Sequence, residues 1–229
     1  MARAMLIPRR TFLTAGTVAL LSACTDDVSV PGSSPAATPL TSPVRGRRAS
    51  LDDVLAERRS IRSFVDEPLD DTTISRLLWA AQGVTASWGG RTAPSAGALY
   101  PIEVYVATSE SLRRYVPSDH TAVELANGDR RRSIGEVTGQ EPAAAAPVLF
   151  VIAGVVSRTA AKYGDRAERY VQLEAGHVCQ NLLLEATALG LAAVPIGSFS
   201  DDDLREALGV GDDELPLYVV PVGHPGEGD

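Results

Sequence analysis

The chain has 229 residues, of which 45% are hydrophobic and 22% are charged, and its formal net charge is −8 at pH 7. This composition is typical of one globular domain with a sizeable core, and the acidic balance argues against a nucleic-acid-binding protein. Two cysteines exclude a four-cysteine zinc site and a disulfide scaffold, and Lys162 is the single lysine among 21 basic residues.

The first 23 residues are typical of an export signal. Two arginines at positions 9 and 10 precede an apolar run over residues 12–21, which is too short to span a bilayer. The stretch PRRTFL resembles the twin-arginine export motif, and LSAC resembles a bacterial lipobox. We therefore expect removal of residues 1–23 and lipidation of Cys24, which would anchor the protein to the outer face of the cytoplasmic membrane. The alternative is an ordinary secretory signal, with Cys24 present by chance.

The next segment, residues 24–49, is rich in Pro, Ser, Thr and other small residues and shows no apolar periodicity. Such a stretch buries too little surface to offset its ordering entropy. We expect a flexible tether that spans about 80 Å at full extension. A single folded domain over residues 50–229 follows.

Helical patterns begin the domain. Ser50 is a predicted N-cap for a helix that runs to Arg58, and Asp70 or Asp71 is a predicted cap for a second helix that ends at Gly83. The β-rich run Ile102–Ala107 predicts a strand.

The second half of the domain alternates strands and helices. A buried strand is predicted at 148–156, the longest helix at 167–189, and a short helix at 201–208 between strands at 192–196 and 217–222. The longest helix is apolar over most of its circumference, which favours burial at a dimer interface. Together these elements predict an α+β fold with a central mixed sheet flanked by helices.

Several common catalytic motifs are absent. Neither the dinucleotide-binding nor the phosphate-loop glycine motif occurs. The stretch APSAG at 93–97 nearly matches a serine nucleophile elbow, but it leads into a strand where an elbow needs a helix. The scattered histidines His120, His177 and His224 lack further ligands at metal spacing, so we expect structural roles for them and no metal site.

A cluster of arginines and two small-residue turns suggest a cofactor site. Arg58, Arg59, Ser60 and Arg62 could clamp a phosphate by charge-assisted hydrogen bonds, although arginines also suit a helix C-terminus. The turns at 95–97 and 195–198 carry little side chain, so a flat cofactor could approach the backbone closely.

These segments carry a family resemblance. RRSIRSF at 58–64 resembles the opening motif of the FMN-dependent nitroreductase superfamily. RTAPSAGALYP at 91–101 resembles the SagB-type dehydrogenases, flavin enzymes that oxidise azolines to azoles. The similarity continues over 174–197 and 216–223, so it covers about residues 50–224.

The resemblance implies a nitroreductase-like fold and a homodimer that holds FMN at the subunit interface. The phosphate and ribityl chain would be held by Arg58, Arg59, Ser60 and Arg62. The isoalloxazine ring would be lined by Pro94, Ser95 and Gly97. Ile196 and Gly197 would offer a backbone N–H to the edge of the ring at N5, where a hydride is accepted.

The lone lysine also belongs to the resemblance. Lys162 and Tyr163 are similar to the Lys-Tyr pair that azoline oxidases use in proton abstraction. Lys162 would act as the base and Tyr163 would donate or relay a proton. The alternative is a surface lysine without a catalytic role.

We therefore predict an exported, lipid-anchored, FMN-dependent oxidoreductase that transfers a hydride between a small-molecule or peptide substrate and flavin N5. The alternative is a flavin-free relative that acts as a surface binding lipoprotein. That alternative is motivated by the stretch after Gly223, which lacks the basic residues that help hold the phosphate in the resembled family.

Overall fold

The computed structural model describes residues 36–42 and 49–227. The predicted signal at 1–23 and the lipidation site Cys24 lie outside the described residues. In the described ranges, the helices are all too short or too polar to cross a bilayer.

The described residues form a seven-stranded sheet in the order β1-β4-β3-β2-β5-β7-β6. Its strands are β1 (Ala37–Pro39), β2 (Ile102–Ala107), β3 (Ser111–Val116), β4 (Thr121–Asn127), β5 (Val148–Val155), β6 (Ala192–Ala193) and β7 (Glu214–Gly223). The α+β prediction is confirmed, but the prediction of a mixed sheet is wrong. Every pair of neighbouring strands is antiparallel, because β2, β3 and β4 form a meander and β5 lies between two strands that run opposite to it.

Helices cover both faces of this sheet. They are α1 (Leu51–Glu57), α2 (Asp71–Gln82), α3 (Arg131–Thr138), α4 (Glu141–Ala145), α5 (Val156–Tyr163), α6 (Ala167–Ala188) and α7 (Asp201–Leu208). The predicted bounds of the first, second, sixth and seventh helices hold to within a residue or two. The predicted strand at 192–196 is shorter, and only Ile196 continues the pairing, by a bridge to Val219.

The strand β5 lies at the centre of the core, since all eight of its residues are buried. On one face Phe150 packs with apolar residues of α2 and α6. On the other, Leu149 packs with residues of α3 and α7. Gly154 lets α6 approach closely, because a Cβ there would collide with Val171 on that helix. This close contact positions α6 against the sheet, and α6 carries part of the site described below.

Asp70 caps α2, as the sequence predicts. Its carboxylate accepts a hydrogen bond from the Thr73 N–H at 2.7 Å. This bond lowers the pKa of the Asp70 carboxyl below its usual value, because it stabilises the ionised form.

Replacing Asp70 by alanine is expected to lower the free energy of unfolding by about 1 kcal/mol at pH 7, the usual value of an N-cap. Asp70→Asn should retain most of the stability, since asparagine also caps helices. Because the folded-state pKa is lowered, the charge-dependent part of the stabilisation is present above the unfolded pKa and is lost as the pH falls through the folded one. Urea unfolding of the three proteins at pH 7 and pH 3 checks both statements; an alanine variant as stable as wild type at pH 7 would contradict them.

Part of the predicted tether belongs to the sheet. Residues 37–39 pair with β4, and the Leu40 N–H donates to the His120 carbonyl at 3.0 Å. The Thr41 carbonyl accepts from Ser75 Oγ at 2.6 Å and lies 2.9 Å from His120 Nε2. The prediction of a flexible tether is therefore wrong for residues 36–42, whose backbone groups bond β4, the turn before it and α2. Residues 24–35 and 43–48 lie outside the described residues.

Candidate active site

The loop between α2 and β2 has an unusual backbone. Four of its residues have positive φ angles, namely Gly89 (90°), Gly97 (66°), Ala98 (56°) and Tyr100 (47°). Only glycine adopts this region readily, so two positions are strained, and such strain often occurs at functional sites. The Tyr100 N–H donates to Ser95 Oγ at 2.8 Å, which closes the loop. A single 3₁₀ turn, Ala96–Ala98, follows Ser95, so the serine is not in a nucleophile elbow.

The end of α5 brings the predicted lysine and tyrosine to this loop. A Cβ on Gly97 would lie 2.9 Å from Lys162 Nζ and 2.9 Å from Tyr163 Oη. The two functional atoms therefore converge on the space that the missing side chain leaves open. Lys162 is exposed, and its Nζ lies 5.6 Å from the centroid of the Tyr163 ring. The Tyr163 ring packs edge-on against Tyr170 of α6 at 5.0 Å.

A buried polar group lies behind the loop. Glu174 of α6 is only 3% exposed. Burial raises the pKa of its carboxyl to about 7, while interactions with Ser95, Arg91 and Gln82 oppose that rise. The Arg91 guanidinium stacks on the Tyr100 ring at 4.4 Å and donates to Gln82 Oε1 at 3.2 Å. Burial is also the largest cause that lowers the pKa of Arg91.

The arginine segment lies elsewhere, beside β6. The Ile61 N–H donates to the Ala193 carbonyl at 3.1 Å, and Phe64 bridges to Pro225. Arg58 is the C-cap of α1. The segment is therefore held between β6, at the edge of the sheet, and Pro225, near the end of the described chain.

The arginines of this segment have different contacts. Arg59 Nη1 donates to the carbonyls of Ala56 and Arg58, both at 2.8 Å, which is the helix-terminus role that the sequence left open. Arg62 Nη1 donates to the Ser60 carbonyl at 3.2 Å. Arg62 is exposed, and Arg58 and Ser60 are half-buried.

The small-residue turn after β6 corrects one prediction. The Ile196 N–H donates to the Val219 carbonyl at 2.8 Å, so this N–H is already used by the sheet and cannot serve a flavin. The Gly197 N–H has no backbone acceptor in the hydrogen bonds of the described chain. Gly197 is exposed. The predicted hydrogen bond to the N5 edge of a flavin therefore stays a prediction for the Gly197 N–H alone.

The predicted residues thus form two groups. The arginine segment, Ile196 and Gly197 are held by β6 and β7, whereas Pro94, Ser95 and Gly97 lie against α5 and α6 with Lys162 and Tyr163. Across the described ranges, no cluster of three or more His, Cys, Asp or Glu side chains is placed to hold a metal ion. His120 has a structural role, since its ring also bonds the Tyr115 hydroxyl at 2.8 Å.

Comparison with known proteins decides the family. The model of the Nitroreductase family matches residues 55–224. The chain belongs to the nitroreductase family. A relative from Methanocaldococcus jannaschii, itself assigned as a nitroreductase, is 41% identical over 180 residues, which are 76% of this chain and 90% of the relative. The family prediction is confirmed at this level.

Two further relatives of this nitroreductase-family chain agree. The FMN reductase [NAD(P)H] of Bacillus subtilis is 24% identical over 193 residues, which cover 76% of this chain and 65% of that protein. A solved structure assigned as a nitroreductase, from Ralstonia eutropha, has a TM-score of 0.76 and 30% identity and covers 87% of this chain and 98% of that one. The predicted nitroreductase-like fold and the predicted class, an oxidoreductase, are confirmed.

Proposed function

We propose that the protein is an FMN-dependent oxidoreductase of the SagB-type branch, which acts on a small-molecule or peptide substrate. The convergence of Lys162 Nζ and Tyr163 Oη on Gly97 is the observation that carries this proposal. It joins the Lys-Tyr pair to the loop whose sequence resembles that branch. FMN would supply N5 as the hydride acceptor or donor.

The residues present fit this cofactor. The exposed backbone of Gly197 would admit a flat ring, because this position carries no side chain. At Gly97 the missing side chain lets Lys162 Nζ and Tyr163 Oη reach the loop backbone, where they would meet the edge of the ring and the substrate. Pro94 and Ser95 would line the ring beside Gly97. The Gly197 N–H would bond its N5 edge, with Ile196 lining the same turn. Arg58, Ser60 and Arg62 would hold the phosphate, whereas Arg59 is already engaged at the end of α1.

The chemical roles follow from the side chains at Gly97. Lys162 Nζ would take a proton from one substrate atom as a hydride leaves the adjacent carbon, and the electron pair of the broken bond would form a double bond between the two atoms. Arginine elsewhere in the chain is a far poorer proton acceptor. Tyr163 Oη lies at the same position and would donate or relay a proton. The edge-on packing of the Tyr163 ring on Tyr170 fixes its direction.

A homodimer would complete the site. Leu51, Leu55, Trp88 and Leu173 are large apolar side chains that are at least half exposed, and Trp88 is 73% exposed. Leu173 lines a pocket with Pro94, Ser95 and Glu174, next to the candidate site. A second copy that covers this surface would bury apolar area and could bring the two groups of predicted residues together, with FMN at the interface.

We further propose that the protein is exported and anchored through Cys24 to the outer face of the cytoplasmic membrane. The proposal is supported by the twin-arginine and lipobox-like sequences in residues 1–24. Cys24→Ala should move the protein from the membrane fraction to the soluble fraction. Retention of the variant in the membrane would contradict the anchor.

The cofactor proposal is tested by titrating the purified protein with FMN. Wild type should bind FMN and show flavin absorbance, and the double variant Arg58→Ala/Arg62→Ala should raise the Kd at least about tenfold, because each loses a charge-assisted hydrogen bond. Arg166→Ala, which removes an exposed arginine near the start of α6, should leave the Kd unchanged. A protein that stays colourless after FMN is supplied would favour the flavin-free binding lipoprotein.

A further inference from the structure

Arg158, in the first turn of α5, connects this helix to two neighbouring elements. Its Nη1 donates to the Tyr100 carbonyl at 3.4 Å, and its Nη2 lies 2.5 Å from Glu103 Oε1 on β2. Two separate nitrogens make these contacts, which suits the planar fork of a guanidinium. Tyr100 lies at the end of the strained loop, and Lys162 follows Arg158 by one turn of α5. The guanidinium therefore joins the helix that carries the lysine to the loop that the lysine contacts.

The side chains of α5 have no other link of this kind. Within the described ranges, Arg158 makes the only hydrogen bond and the only ion pair that join a side chain of this helix to the loop or to β2. The Glu103 side chain is 12% exposed, so water screens this pair less than it screens a fully exposed one. Removal of the guanidinium would leave a mostly buried carboxylate without this cation, which is unfavourable in the original geometry.

Tyr100 transmits the link to the rest of the loop, because it is held on several sides. Its N–H donates to Ser95 Oγ at 2.8 Å, and its hydroxyl accepts the Arg91 N–H at 3.3 Å. The Arg91 guanidinium also stacks on its ring at 4.4 Å. A tyrosine with a φ of 47° persists only where its surroundings determine its conformation, and these contacts do so. A bond to the Tyr100 carbonyl therefore positions the segment that contains Gly97.

We propose that Arg158 is a positioning residue, which holds the functional atoms of Lys162 and Tyr163 at the loop by joining α5 to the end of the loop and to β2. This arrangement is a property of the chain alone, and only its consequence for catalysis rests on the proposed function. Arg158 lies outside the motifs that carry the family resemblance, and its partner Glu103 is distant in the sequence.

Loss of the guanidinium should let α5 shift relative to the loop. The helix would still follow β5 directly and would still contact α6 through the Tyr163 ring. Neither of these contacts involves the loop. The distance between Lys162 Nζ and the backbone at Gly97 should therefore increase, and a displacement of about 1 Å is enough to slow a reaction about 10²-fold.

Nuclear magnetic resonance of the purified full chain tests the position of Lys162 directly. Because the chain has one lysine, selective labelling of lysine gives the side-chain signals of Lys162 alone. One Hα of Gly97 lies near the place of the missing Cβ, which would be 3.2 Å from Lys162 Cδ. Wild type should therefore show a strong nuclear Overhauser effect between these groups. Arg158→Met keeps an apolar stem but loses the guanidinium, so it should weaken this effect severalfold.

Two further variants keep the test decisive. Glu103→Leu removes the other half of the ion pair and should also weaken the effect; it decides the question if Arg158→Met does not fold. Arg132→Met removes an exposed arginine that pairs with Glu136 on α3, and it should behave as wild type. A wild type without the effect would overturn the proposal. So would an effect of wild-type strength in Arg158→Met, or in Glu103→Leu where that variant decides.

Flavin reduction by a thiazoline-containing peptide separates positioning from substrate binding. Arg158→Met should lower kcat at least about tenfold and leave KM unchanged, whereas loss of a peptide-binding group would raise KM. Glu103→Leu should lower kcat as well, which a direct contact of Arg158 with the peptide would not explain. A change confined to KM, or no change in Glu103→Leu, would overturn the catalytic consequence. The resonance measurement needs no flavin, so a protein that binds no FMN contradicts the proposed function and not the positioning by Arg158.

Discussion

Replacing Lys162 by alanine is expected to slow flavin reduction by a thiazoline-containing peptide about 10²- to 10⁴-fold, the usual contribution of a positioned acid or base. The reason is geometric: Lys162 Nζ lies at Gly97, and alanine removes the proposed base from this position. The bound flavin should remain, because Lys162 is not among the residues proposed to hold it. The measurement is the anaerobic loss of oxidised-flavin absorbance after mixing with the peptide.

Matched variants distinguish the loss of a proton acceptor at position 162 from the loss of a positive charge there. Lys162→Arg keeps the positive charge but accepts protons poorly, so it should be about as slow as the alanine variant. Arg166→Ala removes a nearby exposed cation and should react at the wild-type rate. Reduction by dithionite involves no proton abstraction from a substrate and should be equal in all four proteins. Equal peptide rates in wild type and Lys162→Ala would remove Lys162 from the mechanism.

Replacing Gly97 by alanine is expected to have a comparably large effect on the same reaction, about 10²-fold. The new Cβ would lie 2.9 Å from Lys162 Nζ and from Tyr163 Oη, and both flexible side-chain ends would have to move away. A displacement of about 1 Å is enough for such a loss. Stability should fall by only about 1 kcal/mol, from the strain of alanine at a φ of 66°.

Gly209→Ala is the control for that strain. Gly209 ends α7 with a φ of 69°, and a Cβ there would have nothing within 4 Å. It should lose about the same stability as Gly97→Ala while retaining the wild-type rate. If both variants react equally fast, the space at Gly97 has no catalytic importance. Chemical unfolding and the flavin assay on both proteins make the comparison.

The elements that could be predicted from sequence are those whose signals are local. The start of α2 is one of them, because Asp70 bonds the Thr73 N–H within its own turn. The strand β5 is another, since eight consecutive buried residues leave a continuous apolar run. The association of Gly97 with Lys162 and Tyr163 could be expected only through the family resemblance, because these two residues follow it by 65 and 66 positions in the chain.

Elements with nonlocal signals were not predicted. The helix α5 follows β5 without a loop residue, and its cap position, Val155, makes no side-chain capping bond. The hairpin of β3 and β4 carries Arg113 and Arg114 within its first strand, and its apolar residues become visible as a pattern only when paired. The short strand β1 depends on its pairing with β4, and the two residues after it bond His120 and Ser75; all of these partners are distant in sequence.

The site residue that sequence reasoning missed is Glu174. A signal was present, because this carboxylate lies on the same helical face as Val171 and Val178, where an apolar residue is expected. What the pattern could not supply is the pocket, since Pro94 and Ser95 line the same pocket as Glu174 only after the loop folds against α6. Similarly, only the paired strands show that the Ile196 N–H is used by Val219.

The pairing of residues 37–39 with β4 changes how far the protein could stand from a membrane. With Cys24 as the anchor, only residues 25–36 separate the lipid from the sheet, and twelve residues extend to at most about 40 Å, half the reach of a tether that ends at residue 49. The arginine segment borders β6 at the opposite edge of the sheet, six strand spacings or about 29 Å from β1. A lipid-anchored protein would thus be attached at the sheet edge that lies furthest from the arginines proposed to hold phosphate.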